Sequence, residues 1–267
     1  MKKWITTFVV IALAFTLSAC QENAEEVYNK ALEASKELKS AEVDMDIKQS
    51  MGVPSEDMTM DISTKMDIKM TTDPLTMYQK GTIDMGDLLP IDMEVEAYVT
   101  DDAMYMYDSM SGTWMKMDST LSEEMLNQQQ DPAEQLKVLE EYVKDLSFEK
   151  DDNAFILKLE ADGDKLKGDT DKLVKQFMPQ EIMEALGEEA EEIFKNMEIS
   201  KLNYEMFIDK KTYHLNKLNV DMDMSIKADG EELTISQEVN AKYKNINGVD
   251  PIEVPQDVID DAQELNL

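Results

Sequence analysis

One thiol, one imidazole and 58 carboxylates are the groups in this chain that could do chemistry. The thiol is the most telling, because Cys20 closes the run Leu17-Ser18-Ala19-Cys20 behind a basic start at Lys2 and Lys3 and an apolar stretch from Trp4 to Leu17. That three-part layout is a secretory leader, and the residues before the cut form a bacterial lipobox. The chemistry it predicts is transfer of a diacylglyceryl group to the Cys20 thiol, with cleavage just before it. Residues 1–19 are then a leader rather than part of the fold. The apolar stretch is short for a membrane span, which needs roughly 20 residues. Since the lipid consumes the only thiol, no disulfide is expected, although an oxidising compartment would permit one.

The other reactive groups do not assemble into a catalytic pattern. A single histidine, His214, cannot build a His-rich zinc site, and the sequence has neither a Gly-x-Ser-x-Gly elbow nor a phosphate-binding glycine loop. Carboxylates are so frequent that no pair stands out as acid and base. Asp162-Gly163-Asp164 and Asp169-Thr170-Asp171 lack the ligand order of an EF-hand and read as solvated loops. Met58-x-Met60, Met104-x-Met106, Met115-x-Met117 and Met222-x-Met224 have the spacing of thioether pairs that hold Cu(I). Any methionine-rich strand of period two makes such pairs automatically, so no metal, no cofactor and no enzymatic activity are expected.

Charge excludes a further class. The formal net charge is −32, and all 26 cationic side chains are lysines. Such a surface repels nucleic acid and anionic lipid headgroups, both of which need basic patches. No nucleic-acid partner is expected, and membrane attachment must come from the lipid on Cys20.

The elements that would carry these residues follow from periodicity. Ala24, Val27, Tyr28, Ala31, Leu32, Ser35 and Leu38 share one helical face almost directly behind Cys20. From Val43 the period changes to two: Val43, Met45 and Ile47, then Met58 to Met70, then Ile91 to Val99 alternate with Asp, Lys and Glu. This predicts half-buried strands near 42–51, 57–71, 76–85, 91–100, 103–108 and 113–118, joined as an antiparallel meander because the connections are too short for crossovers. A helical interlude is expected between Ser122 and Leu146, bent at Pro132, followed by a hairpin around Phe148 and 154–161 and by helices near 169–178 and 180–196. Strands near 198–209, 212–228 and 232–246 complete a sheet of about eleven strands. Val220-Asp221-Met222-Asp223-Met224 echoes Val43-Asp44-Met45-Asp46-Ile47. Shared alternation of Asp with apolar residues is a sufficient cause of the echo, and internal duplication is the lesser alternative.

This order of elements, with the closing run Ile252-Glu253-Val254-Pro255 and Val258, resembles the LolA/LppX-like lipoprotein superfamily. The phrases Asp131-Pro132-Ala133-Glu134-Gln135-Leu136, Leu202-Asn203-Tyr204-Glu205 and Ile208-Asp209-Lys210-Lys211-Thr212-Tyr213 are similar to a family of Gram-positive lipoproteins. The resemblance implies an α+β fold: a curved antiparallel sheet, or open half-barrel, with helices packed on its concave face. It further implies one domain over 20–267, anchored at the extracytoplasmic face of the bacterial cell membrane, with a cavity for a lipid or acyl chain.

Methionine is flexible and polarisable, and the chain's 22 methionines suit a lining that repacks around variable apolar ligands. They could equally be core filler. Candidate lining residues are Met58, Met60, Ile62, Met66, Met93, Leu136, Leu139, Phe177 and Met183, with the sheet face left open. The competing expectation is a non-catalytic sensor or interaction domain with a filled core that binds another envelope protein.

Overall fold

The computed structural model describes residues 22–56, 58–86, 92–109, 111–118, 136, 139–162, 196–228 and 230–264. The first helix, α1, spans Ala24–Lys36. Asn23 caps it by accepting the Glu26 amide at 2.9 Å, while Glu25 and Glu26 in the first turn and Lys36 in the last complement the helix dipole. Its apolar stripe delivers Val27, Tyr28 and Ala31 into the core.

Twelve strands follow among the described residues: β1 (Ser40–Val53), β2 (Met58–Thr72), β3 (Leu75–Asp84), β4 (Met93–Val99), β5 (Ala103–Asp108), β6 (Thr113–Asp118), β7 (Ser147–Lys150), β8 (Ala154–Asp162), β9 (Met197–Asp209), β10 (Leu215–Ala228), β11 (Glu231–Lys244) and β12 (Gln263–Glu264). They form one curved, unclosed sheet in the order β12-β6-β5-β4-β3-β2-β1-β11-β10-β9-β8-β7. All pairings are antiparallel except the short parallel contact of β12 with β6. The sheet is therefore two meanders joined by β1 and β11, which pair from Glu42 with Lys244 to Gly52 with Thr234. This long-range seam places β7 at one edge and β6, flanked by the short β12, at the other.

The expected strands are present with nearly the expected limits, and β12 is the addition to the eleven. Two expectations need correction. The strand expected from 212 begins at Leu215, because Tyr213 has φ 59° and the backbone turns there. The segment expected to be helical up to Leu146 ends in a 3-10 turn, Glu140–Asp145, rather than an α-helix. The helices expected near 169–178 and 180–196 lie outside the described residues, as do the expected leader and Cys20. The sequence echo acquires a structural reading, since β1 and β10 flank β11 on either side: Ile47 and Val220 both pair with Val239.

Register determines the faces. Side chains alternate across a strand, so pairing relays one face through Val220, Val239, Ile47, Thr64, Ile83 and Met93. This is the face on which α1 and the 3-10 turn pack, in a core that contains Leu157, Leu159, Leu202, Tyr204, Met206 and Ile208. The opposite face carries cross-strand ion pairs, including Lys80 with Glu96 at 3.1 Å, Lys158 with Glu149 at 3.1 Å, and Lys244 with Asp44. Exposed pairs of this kind contribute about 0–1 kcal/mol each; their main effect is to keep that face wet.

Candidate functional site

On the apolar face the methionines of neighbouring strands stand directly opposite one another. Met45 faces Met66, Met51 faces Met60, Met70 faces Met77, Met104 faces Met117, and Met106 faces Met115. Directly opposed side chains on one face are close enough to touch, so thioethers gather in a band over β1 to β3 and again over β5 and β6, with Val99 of β4 standing between Met77 and Met104. Of these, Met70 is buried at 7% exposure and the others are half-buried. At the end of the band Met58 is 59% exposed.

Gly81 shapes the middle of this band. A Cβ there would lie 1.9 Å from the Lys65 carbonyl oxygen and 2.5 Å from the Met66 sulfur. The bare backbone thus lets β2 and β3 approach closely and leaves the Met66 thioether lying over the glycine.

The structure divides the sequence-derived candidates. Met58, Met60, Ile62, Met66 and Met93 share the apolar face, which answers the question of face left open by alternation alone. Leu136 and Leu139, at 4% and 1% exposure, sit elsewhere on it, sealed with Val27, Tyr28, Val143 and Leu146 over β8 and β9. The Tyr28 hydroxyl ties the two segments by donating to the Leu136 carbonyl at 2.8 Å. Burial and the nearby Glu140 carboxylate push that phenol up to about 12. Phe177, Met183 and Cys20 lie outside the described residues. His214 follows the Asp209 turn, where its carbonyl accepts the Asp209 amide at 2.9 Å.

Two further features escaped the sequence reading. The first is an aromatic patch on the otherwise polar face: Tyr78 against Tyr98 at 4.7 Å, Tyr98 against Trp114 at 5.8 Å, and Trp114 against Tyr107 at 5.5 Å. Burial, with Glu96 beside it, raises the Tyr78 phenol well above the ordinary tyrosine range. The C-terminal helix α2 (Gln256–Asp261) covers part of this patch, packing Val258 with Ala103 and Tyr105, with Val254 and Ala262 alongside. The signal was available, since these aromatics occupy the positions in β3 to β6 where Asp and Lys stand in other strands.

The second feature is a clasp at the start of the described chain. The Tyr213 hydroxyl donates to Glu22 at 2.8 Å and accepts from Lys30 Nζ at 3.2 Å, while Lys30 also pairs with Glu26 at 2.9 Å. Tyr213 can reach α1 because Asp209 organises the turn before it. The Asp209 carboxylate accepts the amides of Lys211 and Thr212 at 2.9 and 2.8 Å. Burial opposes ionisation of Asp209, yet these amides and the Thr212 hydroxyl hold its carboxyl below the usual range. The phrase Ile208-Asp209-Lys210-Lys211-Thr212-Tyr213 is therefore the turn that pins the N-terminal segment.

The "Family of unknown function (DUF6612)" model matches residues 23–263, from the cap of α1 to the start of β12. The chain belongs to this family. This DUF6612 member is similar to the solved structure of LprF from Mycobacterium bovis, at 14% identity over 87% of this chain and 96% of that one, with a TM-score of 0.44. It is also similar to lipoprotein LppX from Mycobacterium tuberculosis, at 14% identity over 87% and 98% of the two chains, with a TM-score of 0.42. A DUF1329 family protein from Desulfovibrio piger gives 12% identity, 83% and 91% coverage, and a TM-score of 0.26. No curated protein sequence matches this DUF6612 chain.

Proposed function

We propose that this DUF6612 protein is a non-enzymatic lipoprotein, anchored by a diacylglyceryl group on Cys20 at the extracytoplasmic face of the bacterial cell membrane, which binds a lipid or acyl chain against its methionine band. The observation that carries the reading is the half-buried run of opposed thioethers on the apolar face, beside a region of the same face that is fully sealed. Half-buried methionine is adaptable apolar surface, suited to a ligand whose chain length and unsaturation vary. For the anchor, support comes from the lipobox and from the two acyl chains of a diacylglyceryl group, which hold stably where one myristoyl chain is marginal.

Native mass spectrometry of the lipidated protein recovered from its own host tests the ligand. The expected result is an adduct of acyl-chain mass beyond the anchor, reduced when Met60 and Met66 are both replaced by Asp. Repeated absence of any adduct, with no rise in Tm on adding phospholipid, would overturn ligand binding. A stoichiometric envelope protein in place of lipid would favour the interaction-domain reading.

A further inference from the structure

We infer that Gln49 and Gln237 form a polar subsite in the apolar face, where their two amides hydrogen-bond the ester carbonyl of an acyl lipid. The inference rests on the lipid-binding reading and names the chemistry of the head that follows the chain. Gln49 and Gln237 are direct partners across the seam of β1 and β11. Alternation places both on the apolar face, between the pair Ile47 with Val239 and the pair Met51 with Ile235. Sideways they are flanked by Ile62 of β2 and Met222 of β10. Met51 in turn faces Met60, so the glutamines border the methionine band.

Two primary amides are out of place among aliphatic and thioether side chains unless something uses them. Both are half-buried, and neither side chain makes a hydrogen bond among the described residues. Each offers two N–H donors and a carbonyl acceptor. Directly opposed Cβ atoms stand about 5 Å apart, so both amides can reach one ester group. Hydrocarbon laid over an amide strips its bonds to water and returns nothing. A ligand that puts a carbonyl there restores a bond, and a site that hydrogen-bonds one group discriminates against the analogue lacking it.

Charge decides which carbonyl. On β1, β2, β10 and β11, the apolar-face positions within two rows of the pair carry no lysine, aspartate or glutamate. The charged groups adjoining it along the chain, Lys48 and Glu238, project to the opposite face and pair there at 3.7 Å. Lys201 and Asp221 of the neighbouring strands pair on that same face. A carboxylate seated against the amides would therefore lose hydration and meet no cation. An ester carbonyl is uncharged and still accepts hydrogen bonds. The subsite thus fits the acyl ester of a glycerolipid, either a diacylglycerol or a phospholipid whose phosphate extends into water, and disfavours a free fatty acid.

The test uses the full chain from Cys20 onward in detergent micelles and one pyrene-labelled alkyl chain in three forms: the methyl ester, the plain alkane, and the carboxylate at about pH 8, far above its pKa. Affinity is read from energy transfer between pyrene and Trp114, the one tryptophan behind the leader. The ester should bind about tenfold more tightly than the alkane or the carboxylate. Gln49→Met with Gln237→Met, close to Gln in shape, should bring the ester down to the level of the alkane, and Gln237→Lys should turn the preference toward the carboxylate. Diacylglycerol and phosphatidylglycerol as competitors show which ester lipid the site takes; displacement by neither overturns the ester assignment. An alkane that binds as well as the ester, or an ester preference that survives the double Met substitution, overturns the inference and leaves lipid binding intact. If none of the three probes binds, the lipid-binding reading itself fails and this inference falls with it.

Discussion

Over β8 and β9 the apolar face is closed: Leu157, Leu159, Leu202 and Met206 are at most 2% exposed beneath α1 and the 3-10 turn. Over β1, β2 and β3 the same alternation leaves Met45, Met60, Met66 and Met77 half-buried. Both regions are strands of period two facing the same way, so the pattern that builds a core and the pattern that builds an adaptable surface are indistinguishable strand by strand. The difference lies in side-chain type and cover. Leu, Tyr and Ile are sealed by a helix whose stripe is complementary, whereas the thioethers lie in a band that remains partly accessible.

The sharpest way to break this comparison is Leu157→Ala. A cavity in the sealed region should cost about 4 kcal/mol, read as a loss of denaturant stability, and a cost near that of a surface substitution would show that the region is not sealed. Gly81→Ala comes next, at about 3 kcal/mol, because the new Cβ meets the Lys65 carbonyl as well as the Met66 sulfur. If it proved neutral, β2 and β3 would not be as close as described. Met60→Ala, in the open region, should cost only about 1 kcal/mol, since half-buried apolar area recovers a fraction of the full transfer energy. A penalty matching that of Leu157→Ala would mean the thioether band is core.

An effect of similar size belongs to Tyr28→Phe, about 1 kcal/mol for a hydroxyl bonded to a carbonyl. It carries a pH signature as well. The folded phenol is pushed up to about 12 by burial and by Glu140, above its ordinary value near 10. The unfolded chain therefore releases this proton first, so the contribution is complete below about pH 10 and is lost as pH rises toward 12. In Tyr28→Phe the alkaline limb of a stability–pH profile should be shallower; an unchanged limb would show that Tyr28 is not the group responsible.

Much of this was legible along the chain. Alternation at Val43-Met45-Ile47 and Met66-Ile68-Met70 marks strands because a two-residue period survives any pairing. Turn residues such as Asp73-Pro74 and Ser111-Gly112 mark their limits, and the stripe from Ala24 to Leu32 marks α1. The candidate lining was legible as a composition but not as a place. Leu136 and Leu139 satisfy the same apolar criterion as Met60 and Met93, yet they close the core rather than join the band. The start of β10 was misplaced because the left-handed backbone of Tyr213 depends on a carboxylate four residues earlier that holds the turn.

By itself the sequence determined eleven of the strands and the first helix, the excess of negative charge, the thioether-rich face and the position of the only cysteine. All of these are properties of neighbours along the chain. Tertiary structure alone decided that β1 pairs with β11 almost 200 residues away, that α2 covers aromatics on the opposite face, and that Tyr213 reaches back to Glu22. The physical reason is that alternation fixes which side chains share a face within a strand, while partner, register and cover are set by contacts between distant segments, which no local period encodes.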